Sequence, residues 1–527
     1  MSFRDQVDRT LAALAVTPGW RQLQQRRPDC DDETVAEILR QAGGFAERVL
    51  APLNAPGDRQ GAQLIEGRVQ TPAGFREAFR SYGKAGWLAV NLAEAGDGQG
   101  LPLTVQAACG PLFERACVAL MMVAGSTRAA AHLIWEAGDE QLIREWVPKL
   151  ATGERTATIC ISEADAGSDV GRLRTKAERV GDDWRISGRK TWISFGDHDL
   201  TERIGHCLLA RTGSEPGTRG LSLFLVPNLI DGRSNGITVE RLEDKMGLHA
   251  SPTCALNFDQ SRGTLIGSEG RGLAQLFRMI EVMRLQTACQ GLGLASASVD
   301  VAEQYARERR QGGSSSSPPV PIAEHPDVRR QLEEMRRRTE VLRLAVLELA
   351  ATMDLVAYAP NDERRRELEG FCAWMLPLIK NFGADAGFSV ANAAIQVLGG
   401  AGYTRDWPLE QYLRDARVMT IYEGTTGMQA LDFLTRRLWR DDGNGLRQLK
   451  VRLQADLSSG VDLYPEEAKV AEDRLNAFDD FSQRMMSLQA EPERALYLAH
   501  DYFLAGWETV SAWMDLRLCR IEDRIRR

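Results

Sequence analysis

Between residues 156 and 259 the chain reads TATICIS (156–162), RTKAERV (174–180), DWRISGRKTWIS (183–194), HCLLAR (206–211), LSLFLVP (221–227) and TCALNFD (253–259). These short runs are rich in Thr, Val, Ile, Trp and Phe and are separated by Gly and Asp, the composition of strands joined by turns. Gly181, Asp182 and Asp183 are placed to turn one strand back onto the next. A compact β domain is predicted over 156–265.

The period changes on both sides of it. From about Asp31 to Leu50, Val35, Ile38, Leu39, Ala42, Ala46 and Val49 recur at three- and four-residue spacing behind Asp31 and Asp32, as one face of a helix requires. The same pattern runs through 75–82, 105–124 and 141–150, so residues 1–155 read as a helical domain. After Gly272 almost forty residues without proline predict a long core helix, with Gly291, Gly293, Ala295 and Ala297 for close packing. GGSSSSPPVP (312–321) reads as an exposed, mobile connection. His325-Pro326 then opens another helix, with Leu332, Met335, Leu342, Val346 and Leu349 apolar. A third, from about Leu368, ends at Gly399-Gly400. The order is helix, sheet, helix bundle: a mainly α chain with a central β domain, a bundle over 266–440 and an appended helical domain over 441–527.

Composition removes several function classes. Sixty-five Lys plus Arg against 73 Asp plus Glu leave a net charge of -8, which repels a phosphate backbone unless the basic residues cluster, so nucleic acid is not an expected partner. Nine cysteines without a CxxC pair fit a reducing compartment. Six histidines (132, 198, 206, 249, 325, 500) lack ligand spacing and read as surface or capping residues, so no metal is expected. MSFRDQVDRT (1–10) lacks an apolar signal core and no stretch of about 18 apolar residues is evident, which predicts a cytoplasmic protein without a membrane span. No G-x-G-x-x-G follows a strand and no G-x-x-x-x-G-K-[ST] occurs.

Chemistry concentrates in IYEGTTG (421–427). Glu423 stands between bulky apolar neighbours and a Gly, Thr, Thr, Gly run that leads into an amphipathic helix carrying Met428, Leu431, Leu434 and Leu438. A carboxylate short of water there has its pKa raised toward the working range of a general base. Backbone N–H groups at the helix start can hold a phosphate or another polar ligand group. On the residues alone, a Glu in such a Gly/Thr loop is more often a helix-cap partner or a solvated loop residue.

From about Thr34 to Arg437 the chain resembles the acyl-CoA dehydrogenase family, on IYEGTTG, ICISEADAGSD (159–169), KTWISFG (190–196), ERRQG (308–312) and QVLGG (396–400). LAPLN (50–54), GDGQGLP (96–102), EHPDVRR (324–330) and the C-terminal extension make it most similar to the extended members near 3-methylmercaptopropionyl-CoA dehydrogenase. The resemblance implies an N-terminal helical domain, a β-barrel-like middle domain and a C-terminal four-helix bundle enclosing FAD and an acyl-CoA.

It further implies site residues. Glu423 is the base and its backbone N–H polarises the thioester carbonyl, with Gly424 beside the thioester and Arg284 among the substrate contacts. Some relatives carry the base one position before that arginine, where this chain has Met283, which cannot accept a proton. Ile159, Cys160, Ile161, Ser162, Trp192 and Ser194 are implied flavin contacts, and Ser168 sits between the flavin side and the CoA. Arg309 is implied to reach the FAD pyrophosphate of a neighbouring subunit, Gln396 and Gly400 to approach that pyrophosphate, and Thr425 and Gly427 to complete the cofactor contacts. The chain departs from the pattern at Ser162 for threonine, Ala164-Asp165 for Pro-Gly, the missing phenylalanine after ERRQ, and Gly427 for glutamine.

The implied reaction is α,β-dehydrogenation of an acyl-CoA to its trans-2-enoyl-CoA within fatty acid metabolism, by a homodimer that passes electrons to an electron-transferring flavoprotein. Two rivals remain: a flavin oxidase on the same fold, and a flavin-containing nucleic-acid-binding scaffold. Without the resemblance, TICIS is a buried strand, Ser168 a turn residue and Trp192 a core residue.

Overall fold

A computed structural model describes residues 2–526 apart from 182, 461 and 462. The chain opens with α1 (Phe3–Ala15), α2 (Pro18–Arg26), α3 (Asp32–Phe45) and α4 (Ala51–Gln60). A hairpin, β1 (Gln63–Ile65) and β2 (Arg68–Gln70), precedes α5 (Phe75–Lys84), α6 (Leu103–Ala137) and α7 (Glu140–Ala151). The middle strands are β3 (Arg155–Cys160), β4 (Lys176–Val180), β5 (Asp183–Ser194), β6 (Arg203–Arg211), β7 (Leu221–Pro227), β8 (Leu229–Ile230), β9 (Arg233–Ser234), β10 (Ile237–Leu242) and β11 (Thr253–Leu265). Then come α8 (Gly272–Glu308), β12 (Arg310–Gln311), β13 (Val320–Pro321), α9 (Pro326–Val356), α10 (Asp362–Leu398), α11 (Leu409–Ala416) and α12 (Thr426–Leu434). The last helices are α13 (Asn444–Gly460), α14 (Pro465–Ser487), α15 (Pro492–Tyr497) and α16 (Ala499–Arg526).

Three expectations need correction. Residues 1–155 are not wholly helical, since β1 and β2 pair within them. The helix expected to end at Leu50 changes to a π turn over Ala46–Leu50 and runs on without a break as α4 to Gln60. An apolar stretch of membrane length does occur: an 18-residue window in α6 has mean hydropathy 1.5. Of that window 89% is buried in the fold, as expected of a core helix that is apolar all round.

The chain forms two compact units, one of Arg48–Leu101 and Ala116–Met283, the other of Met1–Glu47, Pro102–Arg115 and Arg284–Arg527. The first is built on the strands. β11, β5, β4, β6 and β7 pair in a ring, with β7 joining β6 to β11 and β4 meeting β6 only at Lys176 and Arg211, which makes the middle region barrel-like. Asp182 lies outside the described residues, but Val180 pairs with Asp183 across Gly181, which is at φ +64. β6 and β7 read as continuous apolar runs because both faces are covered. Leu208, Ala210, Phe224 and Val226 share a core with Ile186 and Phe258, while Cys207, Leu209, Leu223 and Leu225 pack with Trp146 and Leu150 of α7. The two-residue strand period alone separates these cores.

The second unit is a bundle. α3 starts where Asp31 accepts the Thr34 N–H at 2.7 Å. Glycines bring α8 and α10 together: a β-carbon on Gly291 would stand 1.9 Å from the Gly383 carbonyl oxygen. α9 and α10 begin at Pro326 and Asp362, and the Ser/Pro segment between α8 and α9 is the exposed tip of the β12–β13 hairpin. The helices after residue 441 pack on this bundle. Glu348 of α9 and Asp456 of α13 both bind the buried Arg517 of α16, at 2.7 Å each. Phe433 of α12 meets Trp374, Phe478, Tyr502 and Phe503, so α10, α12, α14 and α16 share one aromatic core.

The histidines also correct the sequence reading. His198 and His206 are buried and His132 is half-buried. His198 Nε2 is 3.0 Å from the Thr156 hydroxyl and His206 Nδ1 is 2.8 Å from that of Thr158. Burial pushes both imidazoles down to about 3, so they are neutral polar links inside the barrel.

Candidate active site

In the bundle unit the chain leaves α11 through a tight turn, Arg417–Thr420, and reaches the loop that ends at α12. Glu423 stands at φ +54 and Gly424 at φ +91. A non-glycine residue in the left-handed region costs on the order of 1 kcal/mol or more and persists only where its surroundings hold it. Here they do. Lys380, fully buried on α10, donates from Nζ to the carbonyls of Met419 (2.9 Å), Tyr422 (2.6 Å) and Gly424 (2.8 Å). Gln429 of α12 donates to the carbonyls of Glu423 at 3.0 Å and Gly424 at 3.4 Å. The Tyr422 hydroxyl donates to Gln290 Oε1 on α8. A β-carbon at position 424 would lie 2.7 Å from Gln429 Nε2, so space as well as torsion favours glycine there.

The loop's electrostatics suit a base. Desolvation raises the Glu423 carboxyl above its ordinary value of 4.5, opposed by the positive charges of Lys380 and Arg284. Burial pushes Lys380 down to about 7, with Glu423 opposing that shift and Arg284 adding to it. Arg284 faces Asp432 at 3.8 Å, and Asp432 also gathers Arg436 at 3.3 Å and Arg437 at 3.4 Å. Arg436 and Arg437 therefore have a carboxylate to answer as well as a helix end. Thr425 caps α12, its hydroxyl accepting the Met428 N–H at 3.4 Å, and Gly427 is exposed in the first turn.

Other expected residues of this unit lie elsewhere on it. Gln396 and Gly400 are exposed at the C-terminal end of α10, with Gln396 16 residues, about 24 Å of helix, beyond Lys380. Arg309 is exposed beside the β12–β13 hairpin, where its carbonyl accepts the Ile322 N–H at 2.8 Å.

The strand unit gathers a second group. Ile161 and Ser162 follow β3, and the Thr191 N–H of β5 donates to the Ser162 carbonyl at 2.9 Å. Ile159, Ile161, Ser162 and Ser194 are half-buried and Ser168 is exposed. The Cys160 side chain is enclosed in the barrel core, so any contact it makes beyond the fold is through its backbone. Trp192 stands at φ +62 and is 60% exposed, which is not the disposition of a core tryptophan. The fully buried Lys190 donates to the Ile161 carbonyl at 2.8 Å and to Glu163 Oε1 at 2.9 Å, and Glu163 accepts the N–H groups of Arg174 (2.7 Å) and Thr175 (3.0 Å). This pin fixes the loop after β3 to β5.

Lys380, Gln429, Lys190 and Glu163 did not stand out in the sequence. The available signal was a single cation inside an apolar helical run, LPLIKNFGA (376–384), because a lysine is almost never fully buried without a paired role.

Acyl-CoA dehydrogenase models match three stretches of the chain: the N-terminal domain at 32–154, the middle domain at 158–261 and the C-terminal domain at 270–438. The chain is 35% identical over 477 residues to 3-methylmercaptopropionyl-CoA dehydrogenase of Ruegeria pomeroyi, covering 87% of this chain and 81% of that one. It is 35% identical over 457 residues to the broad-specificity linear acyl-CoA dehydrogenase FadE5 of Mycobacterium tuberculosis, covering 82% and 74%. Caenorhabditis elegans ACDH-11, solved in complex with C11-CoA, superposes over 94% of this chain and 86% of its own with a TM-score of 0.77 at 21% identity, a likeness of fold. With all three domains matched in order and relatives this similar across most of its length, the chain belongs to the acyl-CoA dehydrogenase family of oxidoreductases.

Proposed function

We propose that the protein converts an acyl-CoA thioester to its trans-2-enoyl-CoA, with Glu423 removing the α-proton and FAD as the redox cofactor. The observation that carries this reading is the partly desolvated Glu423, held in a left-handed turn by Lys380 and Gln429. A base placed in advance needs no reorganisation as the proton moves.

The residues present fit a flavin. The Trp192 indole offers a flat apolar face that is open rather than packed, on a left-handed backbone. Beside it the buried Thr191 hydroxyl has no protein partner among the described residues. Ile159, Cys160, Ile161, Ser162, Ser168, Trp192 and Ser194 would hold FAD, the first four in part through backbone; in the bundle unit the resemblance adds the exposed Thr425 and Gly427 as cofactor contacts, and Arg309, Gln396 and Gly400 for the pyrophosphate of a neighbouring subunit's FAD. When bound, FAD supplies an acceptor for the hydride leaving the β-carbon.

The chain's own contribution is to the proton. Ionised Glu423 takes it from the α-carbon, and the carbonyl oxygen of the thioester, which gains negative charge, is stabilised by the Glu423 backbone N–H. Such donors count because they bind the transition state more tightly than the substrate. Arg284 and Gly424 complete the substrate contacts. An electron-transferring flavoprotein as acceptor, a homodimer and a cytoplasmic location belong to the same reading, on the resemblance.

Anaerobic titration of the yellow protein with a panel of acyl-CoAs tests it: bleaching by at least one is expected, and its strength ranks the acyl groups. A colourless protein that cannot be reconstituted with FAD would end the proposal.

A further inference from the structure

Lys380 is an anomaly that the reaction as described leaves unused. A fully buried lysine normally answers one carboxylate, but its three donors go to three carbonyls, those of Met419, Tyr422 and Gly424, lying 39, 42 and 44 residues further along the chain. Two of these carbonyls flank Glu423, the residue in the left-handed conformation. Three carbonyls also satisfy the donors without neutralising the charge, so below about pH 7, where Lys380 is protonated, the cation is available to Glu423. Among the described residues, Arg284 from α8 bears on the same carboxylate, the buried Glu114 from α6 bears on the neighbouring Tyr422, and Asp432 from α12 is engaged with Arg284, Arg436 and Arg437.

We propose that Lys380 is a positioning residue for the base: its ammonium ties the carbonyls on both sides of Glu423 and provides the positive charge that favours the ionised carboxylate. The inference deepens the reading of Glu423 as the α-proton base and rests on it. Lys380 touches neither substrate nor cofactor in this role. It acts through the loop backbone, which a compact ammonium can do with three donors in three directions, and through charge, which any cation at that place supplies.

These two actions separate in a series of variants of the full flavin-loaded chain: Lys380→Met, Lys380→Gln and Lys380→Arg. The readout is the rate of anaerobic flavin bleaching by a reactive acyl-CoA from pH 5 to 9. Lys380→Met should keep its flavin, bleach at least tenfold more slowly at neutral pH and move the midpoint of the rising limb upward. Lys380→Gln, which keeps donors without charge, should show the same upward movement, and it carries the test if the methionine variant does not fold. Lys380→Arg should restore the midpoint but not the full rate. An unchanged midpoint in both neutral variants overturns the inference, even if their rates fall, because a merely structural lysine lowers the rate equally at every pH. If the wild-type chain bleaches with no acyl-CoA, the dehydrogenase reading fails, and the clamp is then read from Glu423 itself. The protonated-carboxyl infrared band lost in Glu423→Gln should titrate at higher pH in Lys380→Gln than in the wild type, and an unmoved band overturns the inference on its own.

Discussion

Arg517 on α16 and Glu348 on α9 form an ion pair, Nη1 to Oε2 at 2.7 Å, with side chains only 2% and 1% exposed. Asp456 of α13 binds the same guanidinium at 2.7 Å and the Trp513 indole N–H at 2.6 Å, while Arg452 reaches the other oxygen of Glu348 at 2.6 Å. Removing one member strands the others in a dry interior, which typically costs about 3–5 kcal/mol. Arg517→Met should therefore lower the urea midpoint steeply, whereas Arg144→Ala, which breaks an exposed pair with Glu140, should leave it almost unmoved. The network also has an acid limit. Burial pushes the Glu348 carboxyl up, but Arg517 and Arg452 outweigh it and hold the group below its ordinary 4.5. Its contribution is thus present above about pH 4.5 and disappears as pH falls through the lowered value.

Glu423→Gln keeps the size of the side chain and its backbone contacts but cannot take up a proton. The variant should purify yellow and bleach with acyl-CoA about 10²- to 10⁴-fold more slowly in rapid mixing, the usual worth of a general base. Wild-type bleaching in this variant would remove the residue from the chemistry.

The wild-type rate should depend on pH with a definite sign. The active form of Glu423 is the carboxylate and burial raises its pKa above 4.5, so the rate should fall as pH drops through that raised value. A rate that stays constant as pH is lowered to and below 4.5, in a protein still folded by circular dichroism, would contradict the assignment.

Lys190→Met removes the cation that holds Glu163 and the Ile161 carbonyl. Because the loop carrying Ile161 and Ser162 is tied to β5 by that ammonium, flavin retention should suffer. Dilution followed by flavin fluorescence should show faster release than in wild type, along with a loss of stability, because Glu163 then keeps only the N–H groups of Arg174 and Thr175. Unaltered release would mean that the pin does not serve the cofactor.

Parts of this molecule were legible from local sequence because their causes are local. Asp31 caps α3 three residues before the N–H it receives, and β6 and β7 announce themselves as apolar because each lies between two cores. IYEGTTG stood out because glycine and threonine are required where the chain turns and a helix starts. The β1–β2 hairpin escaped because each strand has three residues, of which only Val69 is buried, too little for a period of two to register. Burial of His198 and His206 depends on Thr156 and Thr158, which stand 42 and 48 residues away. The role of Lys380 escaped for the same reason: the apolar run around it marks a buried cation, but the three carbonyls that define its role are brought together only by the fold.

The Glu348–Arg517 pair has a consequence in time. The two residues are 169 positions apart, so at about 5–20 residues per second the guanidinium leaves the ribosome roughly 8 to 34 s after the carboxylate it must neutralise. During that interval α9 carries a charge that cannot yet be buried, and the aromatic faces of Trp374 and Phe433 await Phe478 and Tyr502. The bundle that presents Glu423 must therefore mature late in synthesis, and a nascent chain stalled before α16 would be a natural client for a chaperone.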